Sequence, residues 1–200
     1  MLNGMVSRQE QKRRTRQEIL GAARSVIAAK GFAATTARDV AGQAGVAVGT
    51  VFVHFPTMGR LAETLLDDTV GAALDAAADG LPDTGLVDQL LHVGCTLYDA
   101  YRADEELSRQ VISGSLFETA PEGPSRRRMT DFADWVGARV EAAVAAGEIE
   151  PISREGAFGG FFALYFGVLV AGLRGELDAP AQRTVLHSAL HRFLRPTDKE

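Results

Sequence analysis

Between Thr36 and Phe55 the chain starts one helix, stops it sharply and starts a second, all within twenty residues. Thr36 is a helix-capping residue, and Asp39 three positions later completes a capping-box pattern while placing negative charge in the first turn. Val40, Ala41 and Ala44 give this first helix one apolar stripe. Gly45 follows where the chain must reverse, a place that favours a residue tolerant of positive φ. Val46 and Val51 can pack back on the first helix, leaving Val48, Thr50, Phe52 and His54 outward. So little chain with two helices and one tight turn is a helix-turn-helix, a unit whose second helix enters the DNA major groove.

The flanking chain is also helical. Ile19, Ala22, Ala23, Val26 and Ile27 form a stripe in a helix from Thr15 to Lys30, and Gly31 stops it. Pro56-Thr57 opens a longer helix to about Ala78, with Leu61, Leu65, Thr69, Ala72 and Ala76 on one side. Further helices are expected over Thr84–Ala103, around Leu107–Ile112, and over Ser125–Ala146 with Met129, Phe132, Val136, Val140 and Val144 inward. Another runs from Pro151 to about Leu177, Asp178-Ala179-Pro180 separates it from a final helix ending near Leu194, and Ala120-Pro121-Glu122-Gly123-Pro124 is the clearest loop signal in the body. No useful strand-like alternation occurs, so the expected fold is all-α with about nine helices.

Charge divides the same chain. The overall balance is −5, yet residues 1–60 carry nine Lys and Arg against three Asp and Glu, while residues 61–200 sum to −11. That split indicates a basic recognition module on an acidic body that repels non-specific DNA. A single cysteine, Cys95, excludes an intramolecular disulfide framework and suits a reducing cytoplasm. Residues 1–17 have no secretory-signal pattern. Gly156 to Leu173 is eighteen residues without a charge, close to the lower limit for a membrane span. Its glycines, its tight bracketing by Glu155 and Arg174 and its missing interfacial anchors favour a helix buried on most sides within a dimer.

Read from Thr15 to Leu61, the sequence resembles the DNA-binding domain of the tetracycline-repressor (TetR) family. The resemblance rests on Thr15-Arg16-Gln17-Glu18-Ile19-Leu20, Ala22-Ala23, Ala29-Lys30-Gly31-Phe32, Thr35-Thr36, Asp39-Val40-Ala41, Ala44-Gly45-Val46, Gly49-Thr50 and His54-Phe55-Pro56. It departs at four positions. Ala47-Val48 stand where the family usually has Ser-Lys, Phe52 where an aromatic hydroxyl is usual, and Met58 where a lysine is usual. Those polar groups mostly touch phosphates in the family, so grip shifts to the basic N-terminal arm, Thr50 and His54. Val48 is free to meet a thymine methyl instead.

The resemblance implies a basic flexible arm over residues 1–14, a DNA-binding domain over 15–60 and a ligand-binding and dimerisation domain over 61–200. Expected DNA-contacting residues are Thr35, Thr36, Arg38, Ala47, Val48, Gly49, Thr50, Phe52, His54, Arg14 and Arg16. The last two helices are expected to pair with their symmetry mates through Gly159, Gly160, Ala163, Gly167, Ala171, Val185, Leu186, Ala189, Leu190 and Phe193. Expected effector-pocket residues are His92, Cys95, Tyr98, Phe117, Trp135, Phe162 and Phe166, although these aromatics can equally fill core. Missing buried acids favour a neutral or lipophilic ligand over a polycation.

His187 and His191 sit one helical turn apart but lack a third ligand, so no metal is expected. His92 and Cys95 lack any accompanying signature of a nucleophile site, so no catalysis or cofactor is expected. The resulting expectation is a cytoplasmic, homodimeric repressor that binds double-stranded operator DNA and is released by a small, mostly apolar effector. The alternative is a helical small-molecule-binding or catalytic protein whose DNA-binding head is weakened. A membrane-tethered regulator is a third possibility.

Overall fold

The computed structural model describes residues 2–115 and 124–197, with side chains over 7–114 and 126–197. The described residues form nine helices, and their only β feature is an isolated bridge between Ile149 and Pro196. They divide into two compact units.

Unit 1 takes residues up to Asp68 together with 106–115. It holds α1 (Leu2–Lys30), α2 (Ala37–Ala44), α3 (Val48–His54), the start of α4 (Met58–Asp79) and nearly all of α6 (Glu105–Ser115). Ile19, Leu20 and Ile27 of α1, Val40 of α2, Val51 and Phe55 around α3, and Leu61 and Leu65 of α4 form one core. Each large apolar side chain buried this fully contributes about 1.5–3 kcal/mol. Leu107 of α6 joins that core, so the head extends past residue 60 and includes a helix distant in sequence. Hydropathy patterning alone could not assign α6 to a layer.

Residues 2–14, within the basic arm expected over residues 1–14, are the first turns of α1. Past Gly4 the segment has neither Gly nor Pro and is rich in Gln, Lys, Arg and Glu, all good helix formers. An Arg14–Glu18 ion pair (2.9 Å) and a Gln11–Thr15 hydrogen bond (3.5 Å) tie successive turns.

Unit 2 takes residues 69–105 and the described residues beyond 116. It holds the end of α4, then α5 (Leu86–Arg102), α7 (Pro124–Ala145), α8 (Arg154–Leu173) and α9 (Ala179–Leu194). Leu90, Val93 and Leu97 of α5 are buried with Val136 and Val140 of α7, Phe161, Tyr165 and Leu169 of α8, and Leu186, Leu190 and Leu194 of α9. Arg154 at the start of α8 reaches Glu141 (2.9 and 3.0 Å) and Asp134 (3.2 Å) on α7. The Arg154 guanidinium holds the Glu141 carboxyl below its usual range.

Two expectations about helix faces change. Met129 is exposed rather than inward. On the second half of α4, Ala73 and Ala77 are buried while Ala72 and Ala76 are exposed, because one-residue registers among alanines carry almost no hydropathy contrast. α8 is long and apolar enough to cross a membrane by length and composition, and a third of its most apolar stretch is buried in the unit. Its Gly159, Ala163 and Gly167 face outward, so within one protomer α8 is not enclosed on most sides.

Candidate nucleic-acid interface

The geometry of unit 1 begins with the caps of α2. The Thr36 hydroxyl accepts from the Asp39 amide (3.3 Å), and the Asp39 carboxylate accepts from the Thr36 amide (2.8 Å). Both halves of the capping box are therefore present. Lys30, at the end of α1, places its ammonium 2.7 Å from the Asp39 carboxylate. Hydrogen bonds from Lys30 and Thr36 hold that carboxyl far below its usual range. α2 ends at Gly45, whose φ of +67° lets its amide donate to Ala41 and Gly42 and turns the chain toward α3.

α3 lies against the core through Val51, which is 1% exposed. With about 100° per residue, the positions opposite Val51 are Gly49 and Val53, flanked by Thr50 and Phe52. The structure agrees: Val53 is 73% exposed, Phe52 45%, and Gly49 and Ala47 are exposed. Val53 was absent from the expected contacts, although counting the helical period from an inward Val51 finds it. Val48 and His54, expected outward, are half-buried, and Val48, like Met58, packs on the core. Thr35 is corrected as well. It is 8% exposed, and its hydroxyl donates to the Gly31 carbonyl (2.7 Å), so it serves the α1–α2 connection.

Cations lie beside the C-terminal end of α3. Arg38 on α2 and Arg14 on α1 are exposed, the latter paired with Glu18. The Arg16 guanidinium sits 4.4 Å above the ring of buried Phe55 at the end of α3. His54 Nδ1 is enclosed without a hydrogen-bond partner. Burial, then the charges of Lys12 and Arg16, hold this imidazole below its usual pKa. The arrangement is a short helix with an apolar outward face and cations beside its C-terminal end.

In unit 2, four of the expected pocket residues join one aromatic array. Tyr98 is buried, stacks on Tyr165 (5.3 Å) and donates its hydroxyl proton to the Tyr165 carbonyl (3.0 Å). Phe162 stacks with Phe166 (5.8 Å) and Phe158 (5.9 Å) and touches Tyr165 (6.2 Å). Phe132 links Phe158 to Trp135, over which the Arg139 guanidinium lies at 4.1 Å with its Nε enclosed and unpartnered. Two expected pocket residues point elsewhere. His92 lies against Gly80. Cys95 faces Arg183 of α9 (4.0 Å), with burial pushing its thiol up. Phe117 lies outside the described residues.

The α8–α9 face presents an open groove of about 720 Å³ lined by Gly160, Ala163, Leu164, Val185, Ala189 and Phe193. Gly159 and Gly167 are exposed on α8 and Ala171 is half-buried. Leu186 and Leu190 are fully enclosed, which corrects their expected place on that surface. They share a helix face with Leu194, and that face points into the unit.

Comparison with known proteins adds the following. Residues 19–65 match the family described as bacterial regulatory proteins, tetR family. The HTH-type transcriptional repressor KstR2 of Rhodococcus jostii (strain RHA1) is 30% identical over 89 residues. That match covers 42% of this chain and 44% of the repressor, so the chain spans less than half the length of this relative. A TetR transcriptional regulator from Rhodococcus sp. RHA1 superposes with a TM-score of 0.64 at 21% identity, over 94% of this chain and 99% of that one. The transcriptional regulator FadR from Bacillus subtilis, solved in complex with stearoyl-CoA, gives 0.62 at 16% identity, over 89% and 97%. At these identities the structural likeness establishes the all-α fold.

Proposed function

We propose that this chain, whose residues 19–65 match the tetR family of bacterial regulatory proteins, is a dimeric transcriptional repressor that binds operator DNA and releases it on taking up a small apolar effector. The observation that carries the DNA-binding reading is α3 itself. A helix fixed by the Thr36–Asp39 capping box and the Gly45 turn presents an exposed face with Lys12 and Arg16 beside His54 at its C-terminal end, and Arg38 is exposed on the preceding helix. Thr36, Arg38, Thr50 and His54 supply hydrogen bonds and charge to phosphates, which set affinity and register.

The α8–α9 groove supports dimerisation. Its lining is mostly apolar, with Thr184, Ser188 and Arg192 among it, and Gly159, Ala163 and Gly167 let a second backbone approach closely. A two-fold partner there doubles the recognition helices and matches a palindromic site. Effector response is the reading for unit 2, supported by the aromatic array around Phe162, Tyr165 and Trp135. Such an array favours an apolar or planar ligand. An effector need favour the DNA-incompetent state by only about 3 kcal/mol to lower operator binding about a hundredfold. The chain passes between the units at three places at its disposal, within α4, between Glu105 and Glu106, and after Ser115. A cytoplasmic site of action and the absence of catalysis belong to the same reading.

Gel-shift and footprinting on DNA upstream of the chain's own gene test the proposal. Sequence-selective protection at low salt supports it; uniform binding of unrelated duplexes, or none, removes it.

A further inference from the structure

We propose that the outward face of α3, made by Gly49, Val53 and Phe52, reads thymine C5-methyl groups in the major groove. The inference rests on the DNA-binding reading above and specifies what kind of base edge that face takes. Three observations carry it.

The first is what α3 lacks. From Val48 to His54 it has no Arg, Lys, Asn, Gln, Asp or Glu, the residues that make the bidentate or charged contacts to guanine, adenine and cytosine. Thr50 and His54 are its polar side chains, and His54 is half-buried. The second is what α3 exposes. Val53 and Phe52 are adjacent, 73% and 45% exposed, on the side away from the core. Exposed apolar groups on a helix with Lys12 and Arg16 beside its C-terminal end fit a partner that is anionic at its rim and apolar at its centre. A DNA groove with thymine methyls is such a partner, and thymine alone among the bases shows an apolar group in the major groove.

The third is Gly49. It lies one turn before Val53, on the same face. A Cβ there would meet nothing within 4 Å, and its φ is not positive, so neither packing within the chain nor backbone conformation calls for glycine. Glycine is nonetheless the poorest helix former after proline. An open notch beside Val53 lets a base edge come close to the helix backbone, and that approach accounts for a residue that the protein's own packing does not.

The test begins with duplexes selected from a random pool by the full chain. In the tightest of them, each thymine is replaced singly by deoxyuridine, which removes the methyl and nothing else. The expected result is a loss of about fourfold at one or two positions in each half-site. Val53→Ala is expected to weaken binding to the thymine duplex and to bind thymine and uracil equally at one of those positions. Its exposed position leaves folding intact, to be checked by circular dichroism. Gly49→Ala is expected to bind DNA more weakly while unit 1 is at least as stable as before. Selective binding in which every thymine-to-uracil change is neutral overturns the proposal and leaves the DNA-binding reading standing. So does a Val53→Ala protein with altered self-association and unchanged DNA affinity. Failure of any sequence to be enriched removes both.

Discussion

Removing the Glu106 carboxylate should loosen the head at a place 74 residues away in sequence. Glu106, near the start of α6, accepts hydrogen bonds from the Phe32 amide (3.0 Å) and the Ala33 amide (3.1 Å), just beyond the end of α1. A hydrogen bond to a charged group contributes about 1.5–3 kcal/mol, but Glu106 is exposed and water competes for both amides. Discounting for that, Glu106→Ala should cost unit 1 roughly 1–2 kcal/mol, and Glu106→Gln, which keeps one acceptor, about half. Native-state hydrogen exchange at Phe32 and Ala33 reads the effect directly, as a fall in protection of about 5- to 30-fold. Trp135, the single tryptophan, lies in unit 2 and serves as internal control. Its fluorescence transition in urea should not move. Unchanged exchange at both amides, or an equal shift of the Trp135 transition, would refute α6 as a specific support of the α1–α2 connection.

Other predictions follow from the same contacts. Thr36→Ala should destabilise unit 1 by about 1 kcal/mol, measured by exchange in α2. Because the folded-state carboxyl of Asp39 is depressed, its stabilisation is complete above about pH 4 and lost as pH falls further through the depressed value. Asp39→Asn should remove that acid dependence in unit 1. His54 is held below its usual pKa, so it is neutral at pH 7 in the free protein. A phosphate beside it favours the charged form, so DNA affinity should rise from pH 7.5 to 5.5, by at most about tenfold per unit. His54→Gln should flatten the profile, and an unchanged slope would remove His54 from the phosphate contacts. Val185→Glu places a charge in the α8–α9 groove and should weaken self-association about a hundredfold or more in sedimentation equilibrium, with helix content unchanged. A dimer of undiminished strength would place the interface elsewhere.

How far the fold could be read in advance depended on how local its determinants are. The capping box, the Gly45 turn and the stripe of Ile19, Ala23 and Ile27 are set by residues a few positions apart, and each appears as expected. The assignment of α6 to the head depends on Leu107 and Glu106 meeting residues far along the chain, which no local period encodes. Within α3, Phe52 is exposed as expected, whereas Val53 was passed over because the outward set of Val48, Thr50, Phe52 and His54 alternates instead of following the helical period. Leu186 and Leu190 look in sequence like any apolar interface stripe. Only the packing around α9 tells an inner stripe from the outer one carrying Val185, Ala189 and Phe193. The aromatic array likewise needed α5, α7 and α8 assembled before Tyr98, Trp135 and Phe162 could be joined and His92 set apart.

The central claim is that α3 reads DNA sequence with help from the cations around it. Footprinting of selected duplexes across a salt series tests this most directly. The account predicts protection of a two-fold symmetric site, with half-sites about one helical turn apart or a multiple of it. It also predicts affinity that falls steeply with salt and a slope reduced by about one unit for each of Arg16→Ala and Arg38→Ala. Protection that is absent, or indifferent to sequence at every salt concentration, would contradict it.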